Sequence, residues 1–402
     1  MIPPALVPAA INAADNPLSL EFYRILLQNF LPAAGPAVVA LVVTVALVWP
    51  VRRLSFRVGA VAQPGGRNIH ERPTARLGGV AMAAGFTVAA FIFTVVWPQG
   101  RDTGFGTSQV LILIGLGLAT TAIMAFDDAR QLRAGVKFVN QVVIAVAAVV
   151  LGIAITSVNL GGGHVIQLGM LAIPVTIVWL VGMQNTMNLL DGVDGLAGGV
   201  AAIVAIALLL AAVNREQHEA SQFTIVLLCA AFIGACAGFL LFNFNPARVF
   251  MGDSGSHFLG VVLGILSVFG IAKGEVVFAL LVPVAALAIP IADTAWAIVR
   301  RRRQRISIGH ADTAHVHHQL LDFGLSQRQT CLVFYCATGI TSGLGLMLYG
   351  HRKILAVVVV LLVVGLSTLL GDRLHEIESA RLEPRLDEHE ARSGDSGVLL
   401  ES

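Results

Sequence analysis

Long apolar stretches alternate with short polar segments along almost the whole chain. The apolar stretches lie near residues 35–54, 77–97, 107–126, 136–156, 169–190, 194–213, 222–242, 255–271, 276–299, 329–349 and 353–371. Each is close to the roughly 20 residues that a helix needs to cross a hydrocarbon core about 30 Å thick. The pattern therefore predicts an all-α integral membrane protein with about eleven transmembrane helices. The fifth and sixth stretches are divided by NTMNLLDGVDGLAGG (185–199), which interrupts what would otherwise be one long apolar run. Helical periodicity adds little, because a span that faces lipid on most sides is apolar all round. SVNLGGGHVIQLG (157–169) has a different pattern: apolar and polar residues alternate around three glycines, as in a small β-hairpin.

Five polar segments, 67–79, 127–137, 185–199, 243–256 and 300–318, each follow an odd-numbered span, so all five are expected on one face of the bilayer. The charge distribution identifies that face. All of the 26 Lys and Arg residues except Arg24, Arg101, Arg215, Lys273, Arg352 and Lys353 fall in the loops on that side or in the C-terminal tail. The positive-inside rule makes this face cytoplasmic, with the N-terminus outside, the C-terminus inside and the hairpin external. Composition agrees: 56% of residues are hydrophobic and 12% charged, against about 25% charged in soluble chains, which excludes a soluble domain. The expected organisation is an external N-terminal segment (1–34), one polytopic membrane domain (35–371) and a cytoplasmic tail (372–402) of mixed charge. No basic n-region precedes Arg24, so no cleavable signal peptide is expected. Cys229, Cys236, Cys331 and Cys336 lie within apolar spans and read as small packing residues. Membrane lipids are expected partners, with Arg300 to Arg303 and Arg305 near anionic headgroups. No nucleic-acid partner is expected.

The polar segments carry recognisable chemistry. Asp127 and Asp128 are adjacent carboxylates at the end of the third span. Their repulsion calls for a cation or a shared proton, supplied by a divalent metal or, in the plainer reading, by Arg130 and Arg133. Asn185, Asn188, Asp191 and Asp194 recur at a spacing of three, near one helical face, among glycines that admit a bulky ligand. A broken membrane helix with satisfied amides would place the same residues. Asp253 precedes Ser254, Gly255 and Ser256 at the start of the eighth span, where a helix N-terminus favours anions. Its oxygen ligands suit magnesium, which commonly takes one or two carboxylates plus substrate phosphates. Phe250 offers a ring to a nucleobase or to interfacial packing. His315, His317 and His318 lack the additional ligands of a zinc site and suit phosphate better. Arg67, His70, Arg72 and Arg76 place cations before a Gly pair.

The segments RNIHERPTARLGG, FDDARQL, NTMNLLDGVDGLAGG, NPARVFMGDSGS and HADTAHVHHQLL together resemble the polyprenyl-phosphate N-acetylhexosamine-1-phosphate transferases, glycosyltransferase family 4. The family moves a sugar-1-phosphate from a UDP-sugar to a polyprenyl phosphate and releases UMP. The resemblance implies a bacterial cytoplasmic-membrane enzyme that uses undecaprenyl phosphate and depends on Mg2+, with Mn2+ as a substitute, and it allows a homodimer. It implies Asp127, Asp128 and His315 as catalytic residues. It implies His70, Arg76, Asn188, Asp191, Asp194, Asn243, Phe250, His317 and His318 around the substrates. For the metal it implies Asp253, with Asp127, Asp128 or Asp191 as further ligands. The H-x-H-H spacing and the following LLDFGLSQRQ resemble the UDP-GlcNAc-type members more than the phospho-N-acetylmuramoyl-pentapeptide transferases. Ala62 and Asn68 depart from the family pattern in the first loop, and His257 stands where relatives are often apolar. A proton- or ion-coupled transporter is the alternative of a different class, but its acids belong near the bilayer midplane.

Overall fold

The computed structural model describes residues 20–63, 73–97, 106–159, 165–216, 222–271, 320–321 and 324–347, with single residues at 361 and 365. These residues are mostly helical, as the apolar stretches predict. The helices are α1 (Leu20–Val58), α2 (Gly78–Phe91), α3 (Thr107–Arg130), α4 (Ala134–Val150) and α5 (Ala172–Leu190), followed by α6 (Leu196–Glu216), α7 (Phe223–Asn243), α8 (Gly252–Ile271) and α9 (Gln327–Met347). A π-helical turn, Ile92–Val96, extends α2. Seven helices among the described residues are long and apolar enough to cross a membrane. α4 is apolar but has only 17 residues. α9 coincides with the stretch expected at 329–349. The stretch 276–299, and 353–371 apart from its two single residues, lie outside the described residues. The expected break between the fifth and sixth spans is present as the turn between α5 and α6.

α8 lies at the centre of the bundle. Its apolar window is 89% buried, against 28% for α1. It packs on α3 and α5, and also touches α2, α6 and α7; α1 lies along α7 and α2. The rings of Phe86, Phe232 and Phe258 meet where α2, α7 and α8 converge, at centroid distances of 5.7–6.3 Å. α2 and α8 approach so closely that a Cβ on Gly79 would lie 2.1 Å from Gly255. Such contact between small residues is how apolar helices associate where lipid competes for every larger side chain.

Short strands mark the two ends of the bundle. At one end, β1 (Val61–Ala62) pairs antiparallel with β2 (Thr74–Ala75), and Ala75 bridges in parallel to Val249. Phe250 N–H donates to the Ala75 carbonyl, while Gly78 and Gly79 N–H donate back to the carbonyls of Phe250 and Met251. At the other end, β3 (Ser157–Asn159) and β4 (Val165–Gln167) form the hairpin expected from the alternating pattern, with Val158 opposite Ile166. α4 and α5 separate this hairpin from the polar loops, so the hairpin stands apart from the chemistry-bearing residues.

Candidate active site

The end of α3, the first turns of α4 and α8, and the end of α5 converge beside β2. Lys137, in the first turn of α4, joins them. Its ammonium lies 2.6 Å from Asp127 Oδ2 and also pairs with Asp253 Oδ2. Asn188 Nδ2 donates to Asp253 Oδ1 at 3.1 Å and to Ser256 Oγ at 3.1 Å. Asp127 Oδ1 accepts from Leu132 N–H at 2.7 Å. Both Asp127 and Asp128 are buried.

Asp128 has a different task from its neighbour. Its two oxygens accept from the backbone N–H groups of Asp253 at 2.9 Å and Ser254 at 3.0 Å, so it caps the N-terminus of α8 from another helix. The first N–H groups of any helix lack intrahelical acceptors, and a carboxylate there contributes up to about 2 kcal/mol when partly buried. Arg76 lies 3.8 Å from Asp128 Oδ1, and its own N–H is held by the Ala60 carbonyl and by Ser55 Oγ at 3.1 Å. Gly252 makes the cap possible: its φ is +68°, and a Cβ there would meet the Arg76 carbonyl at 2.1 Å and Asp128 Oδ2 at 2.5 Å. The Arg130 pairing anticipated for the acid pair is absent among the described residues. Its guanidinium instead lies over the Phe126 ring, 5.4 Å from the centroid.

Asp191 follows α5 directly. The surrounding protein desolvates its carboxyl, and the nearby carboxylates of Asp253 and Asp128 add repulsion, so its pKa is held well above the ordinary carboxylate range. Asp194 and Asn243 are engaged in bracing. Asp194 Oδ2 accepts from Asn245 Nδ2 at 3.1 Å and from Ala247 N–H at 3.0 Å. Asn243 accepts from Gly195 N–H and donates to the Val249 carbonyl, each at 3.0 Å. α9 holds the same loops from outside, through Tyr335 Oη to the Gly195 carbonyl at 2.6 Å and Cys331 Sγ to the Asp194 carbonyl at 3.2 Å. Phe250 is half-buried, its backbone tied into the small sheet. His70, His315, His317, His318 and Asn68 lie outside the described residues.

The sequence-derived residues Asp127, Asp128, Asn188 and Asp253 thus meet in one network, with Arg76 and Asp191 at its edge. Lys137 was missed as a site residue. It is a lone cation one turn into an apolar helix, and in the sequence it carries only the general positive bias of its loop face. Among the described residues no three Asp, Glu, His or Cys side chains assemble a metal site by themselves. Magnesium does not require three: one or two carboxylates plus phosphate oxygens suffice. Asp127 and Asp253 direct oxygens at one shared cationic point, and their hard oxygen chemistry suits that ion.

Comparison with known proteins finds relatives over most of the chain. Residues 110–271 match the family model described as glycosyl transferase family 4. The chain is similar to a probable undecaprenyl-phosphate N-acetylglucosaminyl 1-phosphate transferase of Bacillus subtilis, 34% identical over 74% of this chain and 80% of the relative. It is similar to a decaprenyl-phosphate N-acetylglucosaminephosphotransferase of Mycobacterium tuberculosis, 34% identical over 82% and 87%. A phospho-N-acetylmuramoyl-pentapeptide-transferase of Streptococcus equi is 30% identical over 54% of this chain and 70% of the relative.

Proposed function

The chain belongs to glycosyl transferase family 4, and from that premise we propose that it transfers GlcNAc-1-phosphate from UDP-GlcNAc to undecaprenyl phosphate. The products are UMP and a lipid-linked diphosphate sugar that starts a cell-envelope polysaccharide. The setting is the bacterial cytoplasmic membrane. About eleven spans, with the N-terminus outside, turn the site toward the cytoplasm, where nucleotide sugars are made. The observation that carries this reading is the Lys137 bridge between Asp127 and Asp253 beside Asn188, at the end of the bundle where the polar loops meet. Two phosphorylated substrates repel each other, and a site that brings them together needs cations held in place. The muramoyl-pentapeptide transferases match a shorter part of the chain. Transport is disfavoured because Asp127, Asp128, Asp191 and Asp253 all lie at helix ends.

A phosphate monoester has a second pKa near 6, so the acceptor is largely dianionic at neutral pH and needs little deprotonation. One of its oxygens attacks the sugar-bearing β-phosphorus, a P–O bond forms, and the bond to the bridging oxygen breaks so that UMP leaves with that oxygen. All four oxygens of Asp127 and Asp128 are already engaged, by Leu132 N–H, Lys137, Asp253 N–H and Ser254 N–H. The dianionic acceptor is itself a nucleophile, so the transfer is read as direct displacement, with both carboxylates holding groups in place rather than attacking. Asp127 positions Lys137, and Asp128 holds the start of α8. Lys137 and Arg76 offset phosphate charge, and Asn188 orients Asp253. Asp253, with Asp127 or Asp191, would hold Mg2+, which when bound supplies charge stabilisation for the diphosphate and the leaving group. His315, His317 and His318 complete the phosphate-binding set, and Phe250 faces the uracil.

The test is purified full-length protein with magnesium, undecaprenyl phosphate and a panel of UDP-sugars. UMP release from UDP-GlcNAc is the expected result. Release from UDP-MurNAc-pentapeptide alone would overturn the donor assignment, and no release from any donor would overturn the enzyme reading.

A further inference from the structure

Polar residues fill two successive turns of the seam between α4, α5 and α8. The upper turn is the site itself: Lys137 on α4, Asn188 on α5 and Asp253 on α8. One turn deeper lie Gln141, Asn185 and His257, offset from the first three by four, three and four residues, the spacings that keep each pair on one face of its helix. His257 and Gln141 are buried and Asn185 half-buried.

This second layer closes as a hydrogen-bonded chain. Asn185 Nδ2 donates to Gln141 Oε1 at 2.8 Å and to the Val181 carbonyl at 2.9 Å. Gln141 Nε2 donates to Asn185 Oδ1 at 3.3 Å and lies 2.9 Å from His257 Nε2. An amide nitrogen only donates, so His257 Nε2 must accept and the ring proton sits on Nδ1. His257 Nδ1 then donates to the Asp253 carbonyl at 3.0 Å. One assignment of protons satisfies every side-chain nitrogen and oxygen in the layer.

None of these three residues has a place in the transfer reaction, and a buried polar network contributes only when all of its members are satisfied. Its last link is to the backbone of Asp253, whose carboxylate meets Lys137 and Asn188 one turn above. We propose that Gln141, Asn185 and His257 form a positioning layer that fixes the register of α4, α5 and α8, and so sets Asp253 against Lys137 and Asn188. His257 is its positioning residue on α8. An apolar side chain at 257 would leave one Gln141 N–H without an acceptor and the first turn of α8 free to rotate against α4.

The kinetic part of the test rests on the transfer reaction proposed above; the exchange part does not. Full-length wild type, His257→Leu and His257→Gln are compared in detergent. Glutamine places an amide oxygen near the position of Nε2, where it accepts from Gln141, whereas leucine removes both ring nitrogens. Amide hydrogen exchange is followed in the peptide spanning residues 252–258, together with thermal unfolding and UMP release. For His257→Leu we expect faster exchange in that peptide and a kcat lower by about tenfold to a hundredfold, the scale of an ångström-sized misplacement. KM for both substrates should stay within about threefold of wild type, since uniform binding is untouched. His257→Gln should recover most of both losses. Unchanged exchange in His257→Leu overturns the proposal. So does an equal loss in both variants that follows their thermal stability, because that marks mere packing. Should His257→Leu fail to fold, Asn185→Ala removes the far end of the chain without touching α8. It is expected to speed the same exchange, and wild-type exchange would overturn the proposal. If wild type releases no UMP, the reaction assignment fails while the exchange comparison still judges the layer.

Discussion

Asp191 lies where a carboxylate is costly, desolvated by its surroundings and facing the charges of Asp253 and Asp128. A raised folded-state pKa means that the protonated acid suits the fold. The stability it contributes is fully present below the unfolded value of about 3.9 and is lost as pH rises through the folded value. Above the unfolded value, a carboxyl at this position therefore costs stability that only function repays. Asp191→Asn should unfold at a higher temperature than wild type. The gap should widen as pH is raised from about 4 to about 8, while UMP release falls by about a hundredfold, the usual loss for a charge-handling group. A gap that does not vary with pH, or full activity, would contradict this. Residue types alone made Asp127, Asp128, Asn188 and Asp253 candidates, and the structure brings the four into one network. They did not reveal the bracing: Asp194 shares the spacing of Asp191, and its carboxylate ties two loops together. Lys137 was obscured for the opposite reason, since a single Lys in an apolar helix carries no motif and its partners lie on other helices.

At the scale of elements, the start of α8 depends on a neighbour. Its first N–H groups are satisfied by a side chain of α3, a pairing that no local pattern announces, because capping residues are ordinarily sought within the same few positions. Gly252 makes room for that carboxylate. Gly252→Ala combines the left-handed backbone penalty, about 1–2 kcal/mol, with eviction of Asp128. It should therefore lower the unfolding temperature by several degrees, at about 2–4 °C per kcal/mol, and abolish UMP release. Gly59→Ala is the control: φ there is +79°, but nothing lies within 4 Å of the added Cβ. Its activity should survive. If both variants behave alike, the cap is not what Gly252 protects.

For the whole molecule, alternation of apolar and polar segments predicted which loops would meet, and four of the five expected at one face do contribute to the network or its bracing. The hairpin at the other end was also legible, because strand alternation between glycines is a local signal. The choice of face rests on charge placement. A cysteine introduced at Gln167, the exposed last residue of β4, should react with a membrane-impermeant maleimide in intact cells. One at Arg133, exposed beside the acid pair, should react only after the cells are opened. Cys229, Cys236 and Cys331 are buried and Cys336 is half-buried, which keeps the background low. The reverse labelling would invert the proposed topology.

The cap on α8 also sets a timetable for synthesis. Asp128 and the Ser254 N–H that it accepts are 126 residues apart, and at about 5–20 residues per second the ribosome takes roughly 6–25 s to travel between them. Arg76 precedes the acid pair and Lys137 follows it closely, so ionic partners for both carboxylates emerge long before α8 does. The nascent chain holds its acids at the membrane surface with cations of its own, and the reaction centre is completed only when the eighth helix is delivered to a carboxylate already waiting for it.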